Sequence, residues 1–107
     1  MSDTPNKSLT GLADLDKLVH EPARLAVMSL LYVVESADFT FVMNQTGLTW
    51  GNISTHLTKL QEAGYIEVEK SFKGKRPKTS LRLSPKGRKV FQEYVHKMKK
   101  VLADLPA

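Results

Sequence analysis

The sequence predicts a small α+β domain that is mainly helical and carries one β-hairpin. Three observations indicate this fold class. Apolar residues recur at steps of three and four over most of the chain, which is the spacing of a helix face. The period changes to two over residues 66–72 and 79–83, as it does in strands. The length of 107 residues is that of one domain, so we expect about five helices and a sheet of two or three strands.

The composition excludes several classes of protein. Hydrophobic residues make up 41% and charged residues 25% of the chain, which is ordinary globular usage and excludes a wholly disordered protein. The longest apolar run, residues 25–34, is too short to span a bilayer, and the N-terminus does not resemble a signal peptide. The chain has no cysteine, which removes disulfides, thiolate metal sites and cysteine nucleophiles. We therefore expect a cytoplasmic protein without membrane contacts.

Charge is divided unevenly along the chain. Residues 1–49 hold three basic and six acidic residues, a net charge of −3. Residues 50–107 hold thirteen basic and five acidic residues, a net charge of +8. A segregated positive surface is typical of proteins that meet phosphates. An anionic membrane or an acidic protein partner would favour the same asymmetry, so charge alone does not choose between them.

The N-terminal half is predicted to hold the supporting helices. Residues 1–8 are polar and are interpreted as a flexible tail before a single domain over residues 9–107. Leucines at helical spacing predict a first short helix over residues 10–19. Pro22 suits the first turn of a second helix. That helix is apolar nearly all round until about residue 35, which is typical of a buried central element.

Two further helices are predicted on either side of a tight turn. A brief extended piece at residues 39–40 leads into a short helix over residues 41–46. Gly47 suits the left-handed position that closes this helix. Thr49 is then the N-cap of a longer helix, which Gly64 ends. Two helices joined in this way form the helix-turn-helix pattern.

The longer helix has one apolar stripe and one polar face. Ile53, Leu57 and Leu60 have the spacing of a single stripe that faces the core. Near the N-terminus, the opposite face carries short, polar, uncharged side chains, as contacts with base edges in a major groove require. Taken alone, an ordinary amphipathic helix with a hydrated face is an equally good interpretation.

The segments of period two predict a hairpin with a strongly basic loop. Its strands cover residues 66–72 and 79–83, and the sequence between them is KGKRPK, residues 73–78. Four cations without an acid repel one another unless phosphates neutralise them. A solvated run of charge is the alternative. A helix-turn-helix followed directly by a basic hairpin is more specific than either part.

This order of elements resembles the winged helix-turn-helix of bacterial and archaeal transcription regulators. The similarity to small MarR- and ArsR-like regulators lies in residues 48–94, LTWGNISTHLTKLQEAGYIEVEKSFKGKRPKTSLRLSPKGRKVFQEY. Most of it is carried by NISTHLTKLQEAGYIE and LRLSPKGRKVF. The resemblance spans residues 12–105 and implies a homodimeric regulator that binds double-stranded DNA, acts as a repressor by occlusion and is not an enzyme.

The resemblance also implies which residues meet DNA. A recognition helix over residues 49–63 would enter the major groove, and a wing around residues 73–78 would reach the backbone or the minor groove. His56 matches a frequent S-x-H-L position and is interpreted as a helix-packing or phosphate-facing residue. Trp50 either packs across the turn or lies against a DNA sugar. The candidate DNA-binding residues are Thr49, Trp50, Asn52, Ser54, Thr55, His56, Thr58, Lys59, Lys73, Lys75, Arg76 and Lys78.

A last helix is predicted over about residues 85–105, with Ser84 as its cap. Its apolar residues follow a heptad and exceed what the hairpin and the core can cover. A second copy of the chain would cover the excess and set two recognition helices about one DNA turn apart on a pseudo-palindromic site. Packing of the whole stripe within one chain is the alternative. The candidate dimer residues are Leu12, Leu15, Val19, Phe91, Tyr94, Met98, Val101 and Leu105.

Other functions have weaker support. The chain has neither a Gly-rich phosphate loop nor a spacing that indicates a catalytic triad. Glu93, His96 and Asp104 are a poor metal set without a thiolate or a second histidine, so no metal or cofactor is predicted. The residues that could line an effector pocket, although core packing is favoured for them, are Met28, Tyr32, Tyr94 and Met98. The main alternative function is a winged-helix module that binds proteins and does not read DNA.

Overall fold

The computed structural model describes residue 11 and residues 13–106, which contain four bounded helices and three strands. In chain order these are α1 (Pro22–Val33), β1 (Ala37–Asp38), α2 (Phe39–Thr46), α3 (Trp50–Glu62), β2 (Ile66–Lys73), β3 (Arg76–Leu83) and α4 (Pro85–Ala103). The α+β class is confirmed, with four bounded helices in this part of the chain where about five were expected. None of these helices combines the length and the apolarity that crossing a membrane requires.

The core lies between the helices and one face of the sheet. Helix α1 contacts each of the other three helices and strand β3, as its nearly all-round apolarity predicts. Burying a large aliphatic side chain contributes about 1.5–3 kcal/mol, so the buried apolar side chains dominate the stability of the domain. The largest side chains with almost no exposed surface are Met28, Leu31, Ile53, Leu60, Leu81, Val19, Val27 and Val42.

The three strands form one antiparallel sheet in the order β1-β3-β2. Strand β1 is only two residues long and pairs with Leu81 and Ser80 of β3. Strands β2 and β3 pair along their whole length. Residues 69–78 of this hairpin are all exposed. The base of the hairpin is therefore anchored in the core, and its tip projects into solvent.

Each helix begins at a side chain that caps its first turn. The N-caps are Glu21, Asp38, Thr49 and Ser84, and each accepts hydrogen bonds from backbone amides of the turn that follows. The caps predicted at Thr49 and Ser84 are confirmed. The extended piece predicted at residues 39–40 is wrong, because Asp38 already caps a helix and the short strand precedes it.

The helix predicted over residues 10–19 is also wrong in its described C-terminal part. Gly11 and Ala13 have helical backbone, but residues 14–20 form turns and bends. The carboxylate of Asp16 accepts hydrogen bonds from the amides of Leu18, at 2.9 Å, and Val19, at 3.2 Å. An aspartate that binds amides two and three residues ahead favours a turn over a helix. The apolar spacing that imitated a helix serves core packing instead.

The hairpin has a shorter turn than the sequence predicted. Lys73 pairs with Arg76, so only Gly74 and Lys75 form the turn. Gly74 has φ 66°, the conformation that a type II′ turn needs at its first central residue. Pro77 is tolerated within β3 because β1 does not extend to that position, so the outer edge of β3 there has no partner strand among the described residues. Three of the four cations assigned to a loop therefore lie in strands.

Candidate nucleic-acid interface

Helix α3 is fixed by its apolar stripe and leaves the opposite face exposed. Ile53, Leu57 and Leu60 are buried in the core, as their spacing predicted. The helix contacts α1 on one side and β2 on the other. Ser54 and His56 are half-buried at the borders of the exposed face. The fully exposed residues of the helix are Trp50, Gly51, Asn52, Thr55, Thr58, Lys59, Gln61 and Glu62.

The hydroxyl groups on this face already have a hydrogen-bond partner for their proton. Ser54, Thr55 and Thr58 each donate to the carbonyl four residues earlier, at 2.8, 3.3 and 2.9 Å. A hydroxyl that donates in this way keeps lone pairs that can accept. Acceptors of this kind suit the exocyclic amino groups that adenine and cytosine present in the major groove.

Trp50 packs across the turn, which is one of the two roles predicted for it. Its ring lies against Phe39 at the start of α2, with centroids 4.6 Å apart and planes tilted by 49°. The side chain nevertheless remains 66% exposed. Trp50 thus packs across the turn and also presents an aromatic surface beside the polar face of α3.

His56 is tied to helix α1. Its Nδ1 lies 3.0 Å from Nη1 of Arg24 and 3.5 Å from Oε2 of Glu21. A guanidinium group can only donate, so Nδ1 accepts from Arg24 in this arrangement. Arg24 is itself buried and donates from Nε to the carbonyl of Leu18. These contacts favour the helix-packing interpretation of His56 over a direct contact with phosphate.

The carboxylate of Glu21 is held in its ionised form. Burial alone would raise the pKa of Glu21, but the hydrogen bonds from the amides of Arg24 and Ala23 and the positive charge of Arg24 outweigh it. The pKa therefore lies below its ordinary value of 4.5. An ionised carboxylate at the N-terminus of α1 also interacts favourably with the helix dipole.

The basic side chains gather at the end of the hairpin. Paired residues of an antiparallel hairpin share a face, so Lys73, Arg76 and Lys78 lie on one face and Lys75 lies in the turn. We call these four residues the tip cluster. Within the described residues, none of them takes part in an ion pair. Nearer the base of the same face, Arg82 donates to Glu67 at 2.7 Å, so the excess of positive charge is confined to the tip.

The direction of the hairpin is fixed where α3, β2 and α4 meet. The amide of Ser84 donates to the carbonyl of Tyr65 at 3.0 Å, and Nζ of Lys86 donates to the carbonyl of Ala63 at 3.0 Å. A Cβ atom at Gly87 would lie 1.9 Å from the carbonyl oxygen of Tyr65, so only glycine permits this approach. The end of α3 and the start of β2 are thereby fixed against the N-terminus of α4.

A second contact holds the same corner from the N-terminal side. The hydroxyl of Tyr65 donates to Oδ2 of Asp16 at 2.6 Å. Burial, together with the hydrogen bond and the charge of Asp16, raises the pKa of Tyr65 to about 12. The turn over residues 14–20 is therefore linked to the base of the hairpin through a neutral tyrosine.

Comparison with known proteins places the chain in a family. The family model for a winged helix DNA-binding domain matches residues 23–102. An uncharacterised protein of Methanocaldococcus jannaschii is 34% identical over 82 residues, which cover 77% of this chain and 89% of that protein. The chain belongs to the winged helix DNA-binding domain family. In the terms of this family, α3 is the recognition helix and the β2–β3 hairpin is the wing.

Solved structures share this winged-helix fold. A transcriptional regulator homologue from Pyrococcus horikoshii has a TM-score of 0.83 at 24% identity, and the match covers 90% of this chain and 99% of that one. A MarR-family regulator from Silicibacter pomeroyi has a TM-score of 0.66 at 17% identity, covering 89% of this chain and 63% of that one. The predicted resemblance to small MarR-like winged helices is therefore confirmed at the level of the fold.

Most of the predicted dimer seam is covered within one winged-helix chain. Leu15 and Val19, as well as Phe91, Tyr94 and Val101, are buried in this single copy. For Leu15, Val19, Phe91 and Tyr94 the alternative of packing within the chain is the better interpretation, because all four belong to the core cluster. Val101 is buried beside Gly11. Leu12 lies outside the described residues. Of the remaining candidates, Met98 is half-buried and Leu105 is 45% exposed.

The weaker site candidates acquire little support from the geometry. Met28 and Tyr94 are buried, which agrees with core packing. Tyr32 lies at a shallow groove that Gln92 and His96 also line. In the part of the chain that the structure describes, no three histidine, aspartate or glutamate side chains are close enough to hold a metal ion, and Glu93, His96 and Asp104 do not form such a group.

Two features of the interface were missed by the sequence analysis. Phe72 and Pro77 stand opposite each other near the wing tip, and Phe72 is 74% exposed. In a strand, residues two apart share a face, so Phe72 falls on the same face as Ile66 and Val68, and the sequence does hold a signal for its orientation. The link from His56 to Arg24 joins residues 32 positions apart. No local spacing predicts such a contact.

Proposed function

We propose that this winged-helix protein is a sequence-specific, double-stranded DNA-binding regulator of transcription, which acts as a homodimeric repressor by occupying its site. The observation that carries the proposal is the position of the wing. Strand β2 contacts the recognition helix and extends beyond the core, so a polar helix face and a basic tip project from neighbouring elements. The two relatives of the same fold that are named as regulators support the regulatory part of the proposal.

The recognition helix supplies the contacts that would distinguish one sequence from another. Asn52 is exposed in its first turn, and an asparagine can form a bidentate pair with adenine in the major groove. The hydroxyls of Thr55 and Thr58 add acceptors along the same face. Lys59 is exposed further along the helix and is better suited to a phosphate.

The wing supplies affinity that does not depend on sequence. The tip cluster brings four cations together without an acidic partner, and cations of this kind bind phosphates and release counterions. Such contacts position the protein on the backbone or in the minor groove. Binding should therefore weaken steeply as the salt concentration rises.

A second copy of the chain would pack against the remaining apolar stripe of α4. Val95 and Met98 are half-buried, and Leu102 and Leu105 are 59% and 45% exposed. Steps of three and four place Val95, Met98 and Leu102 along one side of the helix, and Leu105 follows two residues beyond its end at Ala103. This stripe keeps Met98 and Leu105 of the predicted seam and still allows two recognition helices to address a pseudo-palindromic site. We also propose that the protein acts in the cytoplasm.

A direct test measures binding to duplexes that the protein itself selects from a random pool. The double variant Lys75→Gln/Arg76→Gln should weaken binding to all duplexes and reduce the slope of log K against log salt by about 3.6, because the dimer loses four phosphate contacts at about 0.9 each. The matched control is Lys99→Gln/Lys100→Gln, which removes two exposed cations from α4 and should leave the slope unchanged.

The same assay separates reading of the sequence from anchoring. Asn52→Ala should relax the preference at one base-pair position by about 1–3 kcal/mol and leave the salt slope intact. Equal effects of the wing variant and the α4 control would contradict the proposal. A protein-binding module, the alternative function, would retain no duplex at moderate salt. The polar character of the exposed α3 face favours DNA over that alternative.

A further inference from the structure

The wing tip carries an apolar pair that the core does not use. Phe72 of β2 stands opposite Pro77 of β3, one position before the pair that flanks the turn. Phe72 is 74% exposed, and Pro77 is exposed as well. A large ring so far from the core contributes little to the stability of the domain. Its position at the end of a projecting hairpin therefore points to a contact with something outside the chain.

The two faces of the tip differ in chemistry. Phe72 and Pro77 share the face that, nearer the base, carries the core residues Ile66 and Val68. Lys70 lies between these groups on the same face and is exposed. Along the hairpin, the apolar pair therefore lies between Lys70 and the turn residue Lys75. The other cations of the tip cluster lie on the opposite face of the same strands.

The minor groove of DNA has the complementary arrangement. Its walls are built from deoxyribose, which is apolar, and its rims carry phosphates. Proteins that bind this groove frequently insert apolar side chains, phenylalanine and proline among them, between base steps and kink the duplex. A second copy of the wing is a poor partner, because it would bring another set of cations against the first.

We propose that Phe72 and Pro77 form an apolar wedge that enters the minor groove and partly unstacks one base step, while the tip cluster holds the phosphates at the rim. This inference rests on the proposed DNA-binding function and adds a mode of contact to it. Duplexes with a flexible pyrimidine–purine step at the position of the wing should then bind more tightly, because they bend at a lower cost. This preference would arise without hydrogen bonds from the wing to the bases.

The test uses the full chain and a duplex selected by the wild type. Phe72→Ala should reduce affinity about tenfold at every salt concentration, with an unchanged salt slope, because the lost contact is apolar. The bend, measured as energy transfer between dyes at the two duplex ends, should decrease. Phe72→Lys should also bind more weakly than the wild type, although it adds a cation. Val33→Ala is the matched control, because Val33 is 82% exposed at the end of α1.

Three results would overturn the wedge. The first is a Phe72→Ala variant that binds and bends DNA like the wild type, while neutralising Lys75 and Arg76 still weakens binding; only the wedge then fails. The second is tighter binding by Phe72→Lys, which would show that charge alone acts at the tip. The third is a loss of affinity that tracks dissociation into monomers in sedimentation, which would assign Phe72 to a contact between chains. If the wild type does not bind any duplex in a salt-dependent manner, both the wedge and the proposed function are contradicted.

Discussion

Two glycines within helices illustrate how much a single methyl group decides in this molecule. A Cβ atom at Gly51 of the recognition helix would meet no atom of the described residues within 4 Å. A Cβ atom at Gly87 of α4 would lie 1.9 Å from the carbonyl oxygen of Tyr65. The backbone of Tyr65 cannot shift easily, because its carbonyl also accepts a hydrogen bond from the amide of Ser84 and strand β2 begins at the next residue.

The two positions should respond to alanine in opposite directions. Gly87→Ala should lower the free energy of unfolding by about 3 kcal/mol, the upper part of the usual range for overpacking. Gly51→Ala should raise it, by up to about 1 kcal/mol, because alanine has the higher helix propensity. Urea denaturation of both variants measures the difference. Equal effects would show that the close approach of α4 to Tyr65 is not maintained in solution.

The carboxylate of Glu21 should make stability depend on pH. Its pKa in the folded chain lies below 4.5, the ordinary value expected in the unfolded chain, so its stabilising effect is present above pH 4.5 and is lost as pH falls through the folded pKa. Glu21→Gln should therefore cost about 1 kcal/mol at pH 7, typical of a lost N-cap. This cost should shrink towards pH 3.

The control for this prediction is another carboxylate near the same helix. Glu35 is exposed just beyond the end of α1, and Glu35→Gln should leave stability within about 0.5 kcal/mol of the wild type at both pH values. Urea unfolding at pH 7 and pH 3 provides the comparison. A cost of Glu21→Gln that is the same at both pH values would contradict the role given to the ionised carboxylate.

At the scale of elements, local physics made most of the fold predictable. The caps at Thr49 and Ser84 and the stripe of Ile53, Leu57 and Leu60 depend only on neighbours within a few residues. The same holds for the alternation that predicted the strands of the wing. The basic tip was predictable for the same reason, since its four cations are adjacent in the sequence.

The errors at this scale also have physical causes. The helix predicted over residues 10–19 failed because the side chain of Asp16 binds two amides and stabilises a turn. The loop predicted over residues 73–78 was too long, because Pro77 lies within β3, at a position where the outer edge of that strand has no strand partner among the described residues. The contacts of His56 with α1 could not be predicted, because they depend on how two distant helices pack.

The stripe on α4 marks the limit of sequence patterns at the scale of the whole molecule. A heptad repeat indicates an apolar face but does not say whether the same chain or a second copy covers it. Phe91 and Tyr94 are covered within this chain, whereas Leu102 and Leu105 stay exposed. The proposed seam therefore lies on one side of the helix, towards its C-terminal end.

The exposed leucines of the stripe, Leu102 and Leu105, should control whether the chain forms a dimer. Leu102→Lys/Leu105→Lys should convert a dimer into a monomer, because it places charges where the proposed seam is apolar. Sedimentation velocity measures the change, and binding to a two-half-site duplex should weaken more than binding to a single half-site. Val33→Lys is the control, since it changes an exposed apolar residue on α1. A wild-type monomer, or a variant that remains dimeric, would contradict the proposed seam.

The central claim is that the polar face of α3 and the wing tip contact the same duplex. Titration of the isotope-labelled chain with a selected duplex, followed by the shifts of its backbone amide resonances, tests this directly. We expect the largest changes in residues 49–59 and 71–78, with little change in residues 97–100, which carry three exposed lysines on α4. Changes concentrated on those lysines, or confined to only one of the two expected segments, would contradict the account.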